Sequence, residues 1–510
     1  MKSLIKYMFM GVVAGSVLSA CSTEDLNTQP TTSMSGTSLM DNGNAALVPL
    51  NGIYRTLFSS WSNHENFGIS AWTLAAETMG DDLIMNDAGS GWFWYDGAYN
   101  VKSHYNSDDW RPYDVWNGHY TIISNANYIL AAEKTMTDGA SVTAAYALGQ
   151  AYAIRAYGYF TIAQWYARTY KGHESEPCAP IYTEPTTPET QGKPRSTVKE
   201  VYDQAAADIA KAVEYLGKCN TARQHISHID YATACGIQAR IALVMENWEL
   251  ASSAAKEAIR KSGKSILRVK DFKGVNDSSK ENVMWGAEII SDQAGMYASL
   301  FAHMDADAGK YGATCRKQIN IELYDMMSET DDRLAWWNPN DPNNEDGGYQ
   351  QEKFKFSDLQ NWLGDYIWMR IEEMYLTVAE AECRMGHDKE ALKWLSDLMS
   401  KRDADWTCDK TGTALGALTS DYTGSLLEEI LIQRRLELWG EGMGRIMDIR
   451  RCKQGFVRTS EQGWPSSLLL QGRPTDDPES YMWVMTIPQT EFDGNVNMDS
   501  SKDQNPTDDK

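Results

Sequence analysis

The chain has 510 residues, with 47 Lys and Arg against 70 Asp and Glu, giving a formal charge of −23. Such acidity argues against a nucleic-acid partner, whose phosphates need clustered cations. It also disfavours heavily sulfated polymers unless a local basic patch overrides the overall field.

Lys2 and Lys6 precede an apolar stretch from Tyr7 to Leu18, which is followed by Ser19, Ala20 and Cys21. A basic start, an apolar segment too short to span a bilayer and small residues at the cut describe a secretory signal peptide over 1–20. Leu18-Ser19-Ala20-Cys21 resembles the lipobox of bacterial lipoproteins, in which the cysteine is acylated and becomes the mature N-terminus. Cys21 is therefore the expected lipid anchor, with about 0.8 kcal/mol of membrane attachment per buried CH₂. Glu24-Asp25 resembles the signal that sends Bacteroidetes lipoproteins to the outer face of the outer membrane. Loss of residues 1–20 removes two lysines and takes the charge to −25. No later run of 18 apolar residues occurs, so no transmembrane helix is expected.

Residues 21–42 are polar and rich in Ser and Thr, as a lipidated tether would be. One body is expected over 43–510. Helical periodicity begins near Ala46 and runs through Leu50, Ile53 and Leu57, with the helix proper starting at Pro49 because proline suits a first turn. Residues 59–113 carry Gly, Asn, Asp and aromatics without a sustained period and read as long loops. Apolar stripes then recur at Trp116, Tyr120, Ile123, Ala126 and Leu130, and at Leu148, Tyr152, Ala156, Tyr159 and Ala163. Thr197 with Glu200 three residues on reads as a capping box.

Two later segments match. Ala239-Arg240-Ile241, a turn at Asn247-Trp248 and Ala251, Ala255, Ala258 are echoed by Ala379-Glu380-Ala381, a turn at Gly386-His387 and Ala391, Leu395, Leu398. Small residues twelve apart let antiparallel helices approach across a short turn, the unit of tetratricopeptide-type repeats. Residues 265–365 are irregular again, and the C-terminal 50 residues hold little helix. The fold class is thus mainly α: a tetratricopeptide-like helical-hairpin scaffold with large irregular insertions at about 59–113 and 265–365. The seven cysteines after Cys21 include no CxxC, so thiols, at most one disulfide, and no metal site are expected.

Three stretches resemble the SusD/RagB-type nutrient-binding lipoproteins of Bacteroidetes. They are Arg434-Arg435-Leu436-Glu437-Leu438-Trp439-Gly440-Glu441-Gly442 followed by Asp448-Ile449-Arg450-Arg451; Ile487-Pro488-Gln489-Thr490-Glu491-Phe492-Asp493 with Gln504-Asn505-Pro506; and Met369-Arg370-Ile371-Glu372-Glu373-Met374-Tyr375-Leu376 with Ala379-Glu380-Ala381. Arg434 and Glu437 stand at i, i+3 and are expected to pair along one helix, with Glu441, Asp448 and Arg450 closing a structural network. The resemblance implies an outer-membrane, lipid-anchored, surface-exposed protein. It would bind an oligosaccharide and sit as a lid on a SusC-like TonB-dependent transporter. Peptide capture, as in RagB-like members, is an alternative, and so is a glycoside-cleaving surface enzyme. No GxSxG, HExxH or P-loop pattern is present, which favours a binder over an enzyme.

Eighteen tryptophans are unevenly placed, and nine aromatics fall between Trp92 and Trp116. The C–H face of a sugar lies flat on an indole or phenol ring, while its hydroxyls need polar groups at the rim. Trp92, Trp94 and Tyr95 with Asp96 are the first ligand-binding candidates, and Trp61 with His64 the second. Trp336, Trp337 and Asn338 are the third, since adjacent loop residues are hard to bury together. Asp81 and Asp82 form an acidic turn that could ligate Ca²⁺, although the spacing is not that of an EF-hand; no other cofactor is expected.

Overall fold

The structure is a computed structural model and describes residues 43–86, 92–99, 106–138, 142–219, 221–340 and 348–506. The signal peptide, Cys21 and the tether lie outside the described residues.

Eleven longer helices carry the architecture: α1 Gly43–Thr56, α2 Ile69–Thr78, α3 Trp110–Leu130, α4 Val142–Tyr166, α5 Val198–Lys218, α6 Tyr231–Val244, α7 Trp248–Ser262, α8 Ile371–Arg384, α9 Asp388–Met399, α10 Leu426–Glu437 and α11 Arg445–Arg451. From α3 to α9 each helix packs on the next, and α10 closes on α8. The two matching hairpins, α6–α7 and α8–α9, are therefore neighbours in space although about a hundred residues separate them. Their alanines explain the close approach: Ala239, Ala255, Ala379 and Ala391 are fully buried. Caps fix where these helices begin. Thr197 and Glu200 form the expected capping box on α5, Asp230 accepts the Thr233 amide at α6, and Asn247 accepts the Leu250 amide at α7. Each satisfies donors that the first turn leaves open.

Two helices differ from expectation. α1 starts at Gly43, so Pro49 lies inside it rather than at its first turn. α4 shows no single stripe, because it runs between α3 and α5 and is buried on nearly all sides. Gly149 and Gly158 permit this, since a Cβ there would come within 2.6 Å of Leu216 and 2.7 Å of Ile123.

Among the described residues, the strands lie in the insertions or at their edge. β2 (Val283–Ala287) pairs antiparallel with β6 (Tyr366–Arg370) and closes the base of the second insertion. A four-stranded sheet, in the order β1-β3-β5-β4, joins Leu83–Met85 of the first insertion to Lys317–Ile319, Gln350–Gln351 and Trp337–Asn338 of the second. The pairing of Leu83 with Ile319 and Met85 with Lys317 stitches the two insertions together. That seam positions the candidate site.

The motif charges are buried and structural. Glu437 takes Arg402 (2.7 and 2.8 Å) and Arg370 (2.9 Å), while Glu441 takes Arg370 (2.6 Å) and Lys353 (2.6 Å). Arg434 does not pair with Glu437; its Nε reaches Asp448 at 2.7 Å, while Glu437 is taken up by Arg402 and Arg370. Asp448 also binds Arg451, whereas Arg450 donates to the main-chain carbonyls of Gln164 and Ala167. Burial raises the Glu437 and Asp448 carboxyls, but the arginines more than offset this and hold both below the usual range. The seven cysteines from Cys178 to Cys452 are unpaired thiols. No helix among the described residues is long and apolar enough to cross a membrane.

Candidate ligand-binding site

The loop after α1 carries His64, and the chain after β1 carries Trp92. From the second insertion come Tyr297, ahead of the short helix Leu300–Met304, and Tyr311, which opens the turn Tyr311–Thr314. The four rings form one face. Trp92 and Tyr311 stack with centroids 3.9 Å apart and planes at 30°. His64 lies nearly parallel to Tyr297, at 5.5 Å and 9°, and 5.9 Å from Trp92. Tyr297 and Tyr311 are 5.5 Å apart. His64 is exposed and Tyr297 is 42% exposed, so the face is open to ligand. Lys310 extends it, its Nζ 5.1 Å from the Tyr297 ring and 4.7 Å from that of Trp362.

A buried layer fixes these rings. The Tyr311 hydroxyl and His64 Nδ1 share a hydrogen bond of 2.6 Å, and His303 Nε2 bonds the His64 carbonyl at 2.8 Å. His303 packs edge-on against Phe93, at 5.0 Å and 89°. Burial, and then the charge of Lys317, push the His303 imidazole well below its ordinary range, so it is neutral. Glu65 accepts the Phe93 amide, and burial pushes its carboxyl up to about 7 despite Arg111 nearby. Ser62 and Phe93 hold left-handed backbone (φ 62° and 61°) on either side of the face. Such conformations cost about 1–3 kcal/mol each and persist where the surroundings enforce them.

The other expected residues fall elsewhere. Trp94 and Tyr95 open the short helix Trp94–Gly97. Trp94 is half-buried against the main core with its indole nitrogen enclosed, and Tyr95 is exposed beside it. Asp96 is not a ligand group: it is 1% exposed and bound bidentately by Arg111 of α3, both contacts 2.9 Å. Trp61 pairs with Tyr113 at 6.5 Å. Trp336 and Trp337 are both buried, at 2% and 3% exposure. Trp336 ends a 3₁₀ turn and Trp337 begins β4, so the rings diverge at 83° and both enter the core. Asn338 is half-buried, and its Oδ1 accepts the Asn340 amide.

The acidic turn is likewise occupied by protein. Arg445 reaches Asp81 at 2.7 Å and Arg435 reaches Asp82 at 2.6 Å, with the Thr419 hydroxyl completing Asp81. Burial raises Asp81, but Arg445 and Arg435 outweigh it and keep the carboxyl ionised. Among the described residues no group of three or more His, Cys, Asp or Glu is placed to hold a metal ion.

Of the four rings in this cluster, His64 and Trp92 are among the candidates the sequence suggests, and Tyr297 and Tyr311 are not. Gly295-Met296-Tyr297 and Lys310-Tyr311-Gly312 have the look of exposed turns. Nothing local to either states that the sheet seam brings them against His64.

Two family models match the chain, between them spanning about three quarters of it. One, described as starch-binding and associating with the outer membrane, matches residues 72–243; the SusD family model matches 303–507. No curated protein matches. Among solved structures, a SusD-like carbohydrate-binding protein from Bacteroides vulgatus is 25% identical, with a TM-score of 0.76 over 92% of this chain and 99% of that one. A sugar-binding protein from the same species, so described provisionally, is 21% identical with a TM-score of 0.71 over 91% and 98%. Surface glycan-binding protein A from Bacteroides thetaiotaomicron, solved with laminarihexaose, shares the fold at 16% identity and a TM-score of 0.66, over 91% and 99%. The stacked scaffold, the buried motif charges and these matches agree: the chain belongs to the SusD/RagB family.

Proposed function

We propose that this protein captures an extracellular oligosaccharide on the ring face of His64, Trp92, Tyr297 and Tyr311, and passes it to a SusC-like TonB-dependent transporter. The observation that carries the reading is a cluster of four rings, His64 and Tyr297 exposed and Trp92 and Tyr311 half-buried, where two insertions meet. One ring covering about 50–80 Å² of sugar C–H face contributes about 1–2 kcal/mol. Two or three rings, less the cost of immobilising the chain, give micromolar to millimolar affinity. Such affinity suits a ligand that is held and then released into a barrel.

Binding without cleavage is the reading for the same face. Glycoside hydrolysis needs two carboxylates flanking the scissile bond. Glu65 beside His64 is buried and committed to the Phe93 amide. The outer membrane is the proposed location, with Cys21 acylated and residues 21–42 spacing the body from the bilayer. The family's association with the outer membrane supports this.

The test is affinity electrophoresis of the protein from Ser22 onward through gels containing a polysaccharide panel, with product analysis of each incubation. Retardation by a polymer that is recovered uncut supports capture. Shortened products would establish an enzyme, and unchanged mobility in every gel would remove the glycan reading.

A further inference from the structure

A second cleft, of about 570 Å³, lies in the second insertion and is lined by Arg268, Lys270, Lys273, Lys355 and Trp336, among others. None of its lining residues belongs to the ring face. Its volume falls in the range of small-ligand sites. Its charge departs from that of the chain: four cations face two carboxylates, Asp332 and Glu352, in a protein of net charge −23.

Packing anchors the backbone that carries three of the cations. Val269 and Phe272 are each 3% exposed and anchor the 3₁₀ turn Val269–Asp271. Arg268, Lys270 and Lys273 are thereby left on the outside of that turn. Across the cleft, the Lys355 amide donates to the Gly274 carbonyl at 3.2 Å, and Asn276 Nδ2 donates to the Lys355 carbonyl at 2.7 Å. Lys355 is neutralised by Asp307 (2.7 Å) and Glu352 (2.9 Å). Among the described residues, Arg268, Lys270 and Lys273 have no carboxylate partner. Trp336, 2% exposed, forms part of the cleft wall and offers a fixed apolar surface beside the cations.

We infer that this cleft is a second binding site, for an anionic oligosaccharide whose carboxylate or sulfate groups are taken by Arg268, Lys270 and Lys273. An arginine fork matches a planar carboxylate in two parallel hydrogen bonds, and lysines add point charge at the rim. Repulsion from the acidic remainder of the surface is limited, because salt screens charges farther away than a Debye length of about 8 Å at physiological ionic strength. The inference stands apart from the ring face, and the experiment separates the two.

The probes are an oligogalacturonate (carboxylate), a sulfated dextran oligomer (sulfate) and a neutral dextran oligomer, titrated calorimetrically at low and at physiological salt. The expected result is binding of at least one anionic probe, weakened by salt. The double variant Lys270→Ser/Lys273→Ser should lose at least about tenfold in affinity, while Tyr297→Ala keeps it. Binding by oligogalacturonate alone assigns carboxylate, and by sulfated dextran alone assigns sulfate. The inference is overturned if neither anion binds, if binding ignores salt, or if the folded double variant, checked by its melting temperature, binds as well as the parent.

Discussion

Tyr297→Ala tests the ring face with little risk to the fold. The ring is 42% exposed and stacks on His64 at 5.5 Å. Surface substitutions of this kind usually change stability by about 0.5 kcal/mol or less, so the melting temperature should move by less than about 2 °C in a chain of this size. The binding term is larger. Removing a ring that covers about 50–80 Å² of apolar sugar surface costs about 1–2 kcal/mol, which is roughly five- to thirty-fold in Kd. Isothermal titration with the oligosaccharide that the gel panel identifies, run beside differential scanning fluorimetry, reads both quantities. An affinity within twofold of the parent, at unchanged melting temperature, would refute the reasoning, because no folding defect could then mask a lost contact.

Trp94→Ala should behave in the opposite sense, lowering the melting temperature while leaving glycan affinity unchanged, since that indole packs on the core; a weakened affinity would move the site onto the helix Trp94–Gly97. Arg402→Ala leaves Glu437 and Glu372 short of a buried partner and should cost about 3–5 kcal/mol in urea unfolding; a loss below about 1 kcal/mol would show that the other arginines beside Glu437, Arg370 at 2.9 Å and Arg333 at 3.8 Å, suffice. Burial, reinforced by the charge of Asp82, pushes Glu77 up to about 8. The folded state therefore keeps a proton that the unfolded chain releases near pH 4.5, and stability should fall as pH rises from about 4.5 to 8. Glu77→Gln should make that fall shallower in urea midpoints taken across the range, and an unaltered slope would contradict the assignment.

Much of the scaffold is legible in the sequence because its determinants are local. Alanines twelve apart, the Thr197–Glu200 cap and the apolar period of α3 each act within a few turns, and the structure repeats them. Where local signals met long-range packing, the reading failed. Pro49 looks like a helix start, yet α1 begins at Gly43 and runs through it. The spacing of Arg434 and Glu437 suggests a pair, yet both find stronger partners on other elements, Asp448 for one and Arg402 with Arg370 for the other. Trp336-Trp337 looks too crowded to bury, yet a change from 3₁₀ turn to strand sends the two rings apart. The candidate site was half visible for the same reason. His64 and Trp92 sit in aromatic-rich loops, whereas Tyr297 and Tyr311 join them only through the pairing of β1 with β3.

The central claim is that His64, Trp92, Tyr297 and Tyr311 are where carbohydrate is gripped. A crystal structure with the retained oligosaccharide bound tests it most directly. The account predicts sugar rings lying flat against Trp92, Tyr311 or Tyr297, within van der Waals distance and uncut. A neutral oligosaccharide seated on a different surface, with these four rings untouched, would contradict it.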